Sequence, residues 1–265
     1  MTDLAIPLIL AFCFGAVIGS FLNVVSLRFN TGVGLGGRSK CMSCGNQLSW
    51  KELIPIASFM AQKGACKKCR ARISWQYPLV EFAAGAIFVL VIYRFPPASY
   101  LAALTTFIYL TATSLLLVIA AYDVKHKIIP DRFVWAFDAL ALASVFVGGQ
   151  SWLHAPHWWT LAAGPLLALP FALLWLVSKG SWMGLGDAKL VLGLGWLLGM
   201  DGGANALVWA FWIGAAASVA WMLVVRKRFK AKAEVPLGPY LIIGFYLVLL
   251  FGWQAIDLRM LAQLF

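Results

Sequence analysis

Long uninterrupted apolar runs dominate the chain, and short polar segments separate them. The strands of an outer-membrane barrel would instead alternate apolar and polar residues. A run of about 20 apolar residues is long enough to cross a bilayer as a helix. The pattern therefore predicts an all-α polytopic membrane protein with about eight transmembrane helices. We place the spans near 4–27, 78–95, 100–122, 132–149, 158–178, 187–200, 204–225 and 237–256.

Proline and glycine pairs mark two of the turns between these spans. Pro96-Pro97 is predicted to break the hairpin between the second and third spans, and Gly202-Gly203 the one between the sixth and seventh. The sixth span is short and rich in glycine, which suits close packing against neighbouring helices.

Composition agrees with a membrane protein and excludes two other classes. Hydrophobic residues make up 62% of the 265 residues, and charged residues only 12%, against about 25% in soluble domains. This excludes a soluble globular protein. Disorder is excluded as well, because 18 Phe and 13 Trp would have to remain in water.

The net charge of +11 reports orientation in the membrane rather than nucleic-acid binding. Basic residues concentrate in alternate loops, which is the positive-inside bias of membrane proteins. Nine lie in 28–72, three in 125–132, two in 179–189 and five in 226–232. The loop 28–77 and the later basic loops are therefore predicted to be cytoplasmic. The expected surroundings are membrane lipid, with no nucleic acid.

Two C-x-x-C pairs lie in the first cytoplasmic loop. Cys41 and Cys44 form one pair, Cys66 and Cys69 the other, with 21 residues between them. This spacing lets two tight turns offer four thiolates to one tetrahedral Zn²⁺. Redox dithiols and disulfides are the alternatives; the first usually occur singly and the second are rare in a reducing cytoplasm. Cys13 is predicted to be a packing residue of the first span.

Two of the ten acidic residues form a candidate catalytic pair. Asp123 and Asp187 are both predicted at the cytoplasmic ends of their spans, so they share one depth. Gly184 and Gly186 leave space beside Asp187 for substrate or backbone. Two carboxyl groups at one site can share a proton, so that one activates water and the other protonates a scissile carbonyl.

Other roles for the acids in the spans remain open. Asp187 can simply cap its span while Asp123 pairs with Lys125 or Lys127. Carboxyl groups within a membrane also mark ion pathways. A transporter or channel with a zinc-stapled loop is therefore the alternative class, with Asp123, Asp138 and Asp187 along the ion path. Asp138 can equally settle an interhelical hydrogen bond.

Several motifs together resemble those of the bacterial prepilin leader peptidases, which are G-x-G-D membrane proteases. The resemblance runs in order from about residue 15 to about residue 240. Its motifs are Gly19–Val25, the double C-x-x-C loop, Gln76–Glu81, Tyr122-Asp123 followed by Ile129-Pro130-Asp131, and Gly184–Leu190.

The resemblance implies a bifunctional enzyme of the bacterial inner membrane. Such an enzyme removes the leader of type IV prepilins or type II secretion pseudopilins at the cytoplasmic face. It also N-methylates the new N-terminal residue with S-adenosylmethionine. The resemblance assigns residues 1–95, with the cysteine loop 28–77, to methyl transfer, and residues 96–265 to a six-helix aspartyl protease core.

Three further charged residues receive predictions. Glu81 is a candidate for contact with the methyl donor or the substrate amine, or it is a buried acid paired with Arg28 or Lys189. Lys189 either neutralises the aspartate pair or extends to the interface. Asp131 follows a proline and precedes an apolar run, so it is predicted to be a helix N-cap.

Overall fold

The computed structural model describes residues 2–32, 34–147, 158–225 and 236–256. Within these ranges the chain is helical, and only two isolated β-bridges occur. The helices are α1 (Thr2–Arg28), α2 (Ala57–Ala61), α3 (Gln76–Arg94), α4 (Tyr100–His126), α5 (Asp131–Val147), α6 (Trp158–Ser178), α7 (Leu185–Val225) and α8 (Gly238–Phe251). Five of them, α1, α3, α4, α6 and α7, are long and apolar enough to cross a membrane. The chain is therefore a multi-pass membrane protein, and the predicted all-α class is confirmed.

Helix α7 contains two of the predicted spans. Gly199 interrupts it with non-helical angles, φ 71° and ψ −176°. A Cβ on Gly203 would lie 3.4 Å from Cα of Gly195, so the two segments fold back on each other. The turn is therefore at Gly199 and not at Gly202-Gly203 as predicted. Gly203 is helical, and its missing side chain leaves room for Leu167 of α6.

The chain divides into two compact units, residues 1–96 and 97–265. In the first unit, α1 packs on α3 at backbone distance. A Cβ on Gly15 would lie 2.7 Å from the carbonyl oxygen of Ala84, and one on Gly19 would lie 2.8 Å from Cα of Glu81. Glycines four residues apart allow this approach in membrane helices. Cys13, predicted to be packed, lies instead on the exposed face of α1.

Polar side chains join α1 to α3 at the end that leads into the cysteine loop. The buried Asn23 side-chain amide donates to the carbonyl of Tyr77 at 3.1 Å. The Gln76 amide donates to the Ser26 hydroxyl at 3.4 Å. These bonds fix the relative rotation of the two helices below the glycine contacts.

In the second unit, α7 is the central helix and packs on α5, α6 and α8. Gly195 of α7 lies against the Gly164 backbone of α6, and the Trp196 indole donates to the Leu161 carbonyl at 2.9 Å. Gly244 of α8 lies against the Ala206 carbonyl. These glycine contacts hold α6 and α8 directly against α7.

Gly19→Leu is expected to destabilise the first unit, because the added side chain must separate two backbones already in contact. Overpacking of this kind typically costs 1–3 kcal/mol. The matched control is Val17→Leu, at a position that is 55% exposed on the same helix. Detergent-denaturation midpoints followed by tryptophan fluorescence measure both; equal midpoints would contradict the glycine contact.

Candidate functional site

Asp123 lies in the last turn of α4, and only 3% of its surface is exposed. After His126, Lys127 takes the left-handed conformation with φ 55°, and its amide donates to the Asp123 carbonyl at 2.7 Å. The helix therefore ends at a defined point. Asp123 is placed where the chain leaves α4 and turns toward α5.

Gly238, the first residue of α8, touches the Asp123 carboxyl group. Its amide donates a hydrogen bond to that group. A Cβ on Gly238 would lie 2.6 Å from Asp123 Oδ2, so no larger residue fits there without displacing the carboxyl group. Sequence reasoning gave Gly238 no role. The available signal was a glycine between Leu237 and Pro239 at the start of an apolar run.

Asp187 lies in the first turn of α7, where free helix amides favour a negative charge. Its amide is bonded to the Gly184 carbonyl at 3.3 Å. The next contact is made by Gly186, where a Cβ would lie 2.8 Å from Cβ of Ile129. The buried Ile129 also lies beside Gly238. The starts of α7 and α8 and the α4–α5 connection therefore meet at one place.

The structure brings the two predicted catalytic carboxyl groups into one site. The charge of Asp123 acts on the Asp187 carboxyl group, so the two lie within electrostatic range of each other. Gly184 is exposed beside Asp187, and a Cβ added to Gly184 would lie 3.9 Å from Oδ2 of Asp187. The pair is thus enclosed on the side of Ile129 and accessible on the side of Gly184.

Lys189 is held by α5. Its Nζ lies 2.7 Å from Oδ1 of Asp131 and 5.3 Å from the centre of the Trp135 ring. The ammonium group is therefore directed to Asp131 rather than to the aspartate pair or to Glu81. This ion pair ties the first turn of α7 to the first turn of α5, two residues from Asp187.

The prediction that Asp131 is an N-cap is wrong. Asp131 is the first residue of α5, and the carbonyl of the preceding Pro130 accepts the amides of Phe133 and Val134. Pro130 therefore occupies the N-cap position of α5, and its carbonyl accepts the first helical hydrogen bonds. The Asp131 carboxylate is free to bind Lys189, which the sequence pattern does not reveal.

Glu81 is buried in the first unit and bonded to the cysteine loop. Its Oε2 accepts the Ile56 amide at 2.7 Å, and the Ser20 hydroxyl also bonds to the carboxyl group. Arg28 donates instead to the carbonyls of residues 34–36. Neither predicted basic partner is therefore bonded to Glu81. Its contact with a methyl donor or a substrate amine stays a prediction.

The four cysteines of the loop form a cluster that can hold a metal ion. Their sulfur atoms all lie within 4.8 Å of one another, and those of Cys41 and Cys69 are 3.8 Å apart. A tetrahedral ion with metal–sulfur bonds of about 2.3 Å separates its ligands by about 3.8 Å. The donor set and its size therefore fit a four-thiolate metal site.

The two C-x-x-C segments fold into the same turn. In each, the residue four positions after the first cysteine donates its amide to that cysteine's carbonyl at 2.9 Å. That residue is Gly45 in the first turn, with φ 70°, and Arg70 in the second, with φ 59°. A bridge closes each turn, Lys40 with Gln47 and Ala65 with Arg72. The sequence does not reveal this repeat, because the two segments share only their cysteines.

Backbone amides prepare part of the cluster for thiolate chemistry. The amides of Cys44 and Ser43 bond to the sulfur of Cys41 and lower the pKa of its thiol to about 6. The Ala71 amide likewise favours the Cys69 thiolate, but desolvation and the neighbouring thiols raise the pKa of Cys69 to about 11. A metal ion binds thiolates and displaces their protons, so binding strengthens as the pH rises.

Two protein-family models match the chain. The bacterial peptidase A24 N-terminal domain matches residues 13–95, and the type IV leader peptidase family matches residues 110–219. The first match contains the cysteine cluster, and the second contains Asp123 and Asp187.

Curated relatives named prepilin leader peptidase/N-methyltransferase match most of the chain. The one from Bacillus subtilis is 32% identical and covers 91% of this chain and 93% of its own length. The one from Stutzerimonas stutzeri is 31% identical over 82% of this chain and 72% of its own length. The one from Burkholderia pseudomallei (strain 1026b) is 30% identical and covers 91% of this chain and 84% of its own length. No solved structure matches the chain.

Gly45→Val is expected to weaken metal binding about 5- to 30-fold, because a left-handed backbone costs a β-branched residue about 1–2 kcal/mol. No atom lies within 4 Å of a Cβ on Gly45, so backbone strain is the only cause. Arg70→Gly, at the equivalent position, should bind at least as well as the unmodified chain. Titration with Co²⁺, followed by its thiolate absorption bands, measures all three. Equal affinities for Gly45→Val and the unmodified chain would contradict the equivalence of the turns.

Proposed function

Because the chain belongs to the type IV leader peptidase family, we propose that it cleaves the leader of prepilins or type II secretion pseudopilins and then N-methylates the new N-terminal residue. The observation that carries the peptidase part is the shared site of Asp123 and Asp187. The carboxyl groups come from opposite ends of two helices and meet beside an exposed glycine.

The aspartate pair supplies a general base and a general acid. Two carboxyl groups at one site hold a single proton between them. The ionised group removes a proton from a water molecule while the water oxygen attacks the scissile carbonyl carbon. The protonated group gives its proton to the carbonyl oxygen. The product of this step is a neutral tetrahedral diol, and no covalent enzyme intermediate forms.

Collapse of the diol completes the hydrolysis. One diol hydroxyl returns its proton to a carboxylate as the carbonyl re-forms, and the C–N bond breaks. The other carboxyl group gives its proton to the leaving nitrogen. The leader then ends in a carboxylic acid, the pilin begins with an amine, and the pair again shares one proton.

Glycines around the pair have distinct roles in this proposal. Gly184 leaves space for an extended substrate backbone next to Asp187. Gly186 allows Ile129 to close the opposite side. Gly238 holds Asp123 with its amide, which fixes the direction of that carboxyl group. We propose all three as supporting residues.

We place the active site and the cysteine loop at the cytoplasmic face of the bacterial inner membrane. The support is the distribution of basic residues, since Lys125 and Lys127 follow Asp123 directly and nine basic residues lie in 28–72. The helix ends that carry Asp123 and Asp187 belong to this basic side. Cleavage at this depth separates a polar leader from a membrane-embedded pilin helix.

We propose Zn²⁺ as the ion held by Cys41, Cys44, Cys66 and Cys69. The bound ion supplies a structural cross-link between the two turns and takes no part in hydrolysis. The segment needs such a cross-link, because its described residues form only one short α-helix and one 3₁₀ turn, and many of its side chains are exposed. Glu81 and Arg28 attach the same segment to the helix pair.

S-adenosylmethionine is the proposed methyl donor, and the methyl acceptor is the amine released by cleavage. The loop 28–77 and the helix pair α1 and α3 are the proposed methyltransferase part. The carboxyl group of Glu81 is already bonded to Ile56 and Ser20. Glu81 is therefore not assigned as a donor-binding residue. The transporter alternative is not favoured, since the family matches extend over both units.

Asp123→Asn and Asp187→Asn are each expected to lower leader cleavage at least 100-fold, because an amide neither accepts nor donates the transferred proton. Purified variants incubated with a prepilin in detergent, with products separated by gel electrophoresis, measure the rate. The matched control is Asp201→Asn, an exposed acid of the same unit, which should cleave normally. Near-normal cleavage by either variant would remove that residue from the pair.

Cys69→Ser is expected to lose zinc and to lose methyl transfer at least as severely as cleavage, because the loop belongs to the first unit and the aspartates to the second. Asp187→Asn should still methylate an already processed pilin. Elemental analysis measures the zinc, and mass spectrometry of the pilin N-terminus after addition of S-adenosylmethionine measures both reactions.

Cys13→Ser is the matched control for the loop variant, since Cys13 lies outside the cluster on the exposed face of α1. It should retain the metal and both activities. A product that is cleaved but never methylated by the unmodified chain would make this protein a peptidase alone. Four freely titrating thiols without metal would refute the zinc site.

A further inference from the structure

Asp138 is a buried acid that the proposed hydrolysis does not use. It lies two turns into α5, and only 3% of its surface is exposed. The Gly193 backbone amide interacts with its carboxyl group, and no side chain among the described residues bonds to either carboxyl oxygen. An isolated acid at this position is unfavourable, and acids within membranes usually have a partner inside the protein. A charged partner for Asp138 must therefore come from a neighbouring element.

Helix α7 is the element in contact with this carboxyl group. A Cβ on Gly193 would overlap Asp138 Oδ1, so the missing side chain lets the acid reach the α7 backbone. Lys189 lies four residues before Gly193, which places both on the same face of α7. Its charge acts on Asp138, although its ammonium group is bonded elsewhere. Lys189 is thus the nearest identified source of a positive charge for the buried acid.

The face of α5 that is turned toward Lys189 carries two acids with an aromatic ring between them. Asp131, Trp135 and Asp138 follow at i, i+4 and i+7, and therefore form one stripe along the helix. The ammonium group sits at the outer end of this stripe, on Asp131 and over the Trp135 ring. The two acids are about 10 Å apart along the helix axis. The long flexible side chain of Lys189, lying between the two acids, can form an ion pair with either one.

We propose that Asp138 is a second, interior counter-ion of Lys189, and that the ammonium group exchanges between Asp131 and Asp138 along the face of Trp135. Lys189 lies two residues after Asp187. The three charged residues are therefore positioning residues that hold the first turn of α7. Their effect on cleavage rests on the proposed catalytic role of Asp187. The exchange itself does not depend on that role.

Redundancy of the two acids is the measurable consequence. When Asp131 is removed, Lys189 retains a partner at Asp138, and when Asp138 is removed it retains Asp131. When both are removed, an unpaired ammonium group remains next to the catalytic pair. Two independent contributions would instead be additive in free energy, so that the fold-losses in rate would simply multiply.

A double-mutant cycle of Asp131→Asn and Asp138→Asn tests this with leader cleavage. Each single variant should lose less than about threefold, and the double variant at least tenfold more than the product of the single losses. In a Lys189→Met background the excess loss should vanish. Two results would overturn the proposal. One is a double variant whose loss equals the product of the single losses when Lys189 is present, and the other is an excess loss that persists in the Lys189→Met background. Thermal midpoints of all variants verify folding.

Acylation of Lys189 by an amine-reactive ester tests the exchange without enzyme activity. The Lys189 side chain is 18% exposed when paired with Asp131. Asp131→Asn should slow its labelling, measured by mass spectrometry with the exposed Lys179 as internal standard, because the ammonium group moves inward. Asp138→Asn should not slow it, and the double variant should label faster than Asp131→Asn.

If Lys189 is labelled faster in Asp131→Asn than in the unmodified chain, its ammonium group does not move inward to Asp138, and the proposal is overturned. An unmodified chain that cleaves no prepilin would refute the proposed function and leave the labelling result to judge the exchange. The two failures are therefore distinguishable.

Discussion

A carboxyl group within an apolar helix must find its partner inside the protein, and this constraint shapes the contacts of both units. The partner is often backbone or another charge, so helices must approach closely. A glycine of a facing helix makes that approach possible at three acids. Gly238 lies against the Asp123 carboxyl group, Gly193 lies against the Asp138 carboxyl group, and Gly19 lies against the backbone of Glu81. Acid and glycine therefore have to be considered together at each site.

Apolar run length predicted the helices well, because a span is a local property of the sequence. Its failures came from tertiary contacts. The chain turns at Gly199, although Gly202-Gly203 carries the stronger local signal for a break. Gly203 is helical and packs against Leu167 and Gly195. A glycine pair can serve a turn or a helix contact equally well, and only the neighbouring helices decide between them.

The site divides in the same way into predictable and unpredictable parts. Cysteine spacing and the position of Asp187 next to two glycines are short-range patterns, so sequence reasoning selected those residues. The bond from Gly238 to Asp123 joins residues more than 100 positions apart, and the ion pair of Lys189 with Asp131 joins positions 58 apart. No local pattern indicates such partners. The equivalence of Gly45 and Arg70 was missed for a different reason, since it lies in backbone conformation alone.

Each unit contains the contacts that its own proposed chemistry needs. The residues that position Asp123 and Asp187, including Ile129 and Gly238, all lie in 97–265. The metal cluster is attached through Glu81 within 1–96. A change in one set of contacts therefore alters one chemistry first. This separation suits the proposed assignment of the two successive reactions to different units, in which the amine released by residues 97–265 is the methyl acceptor for residues 1–96.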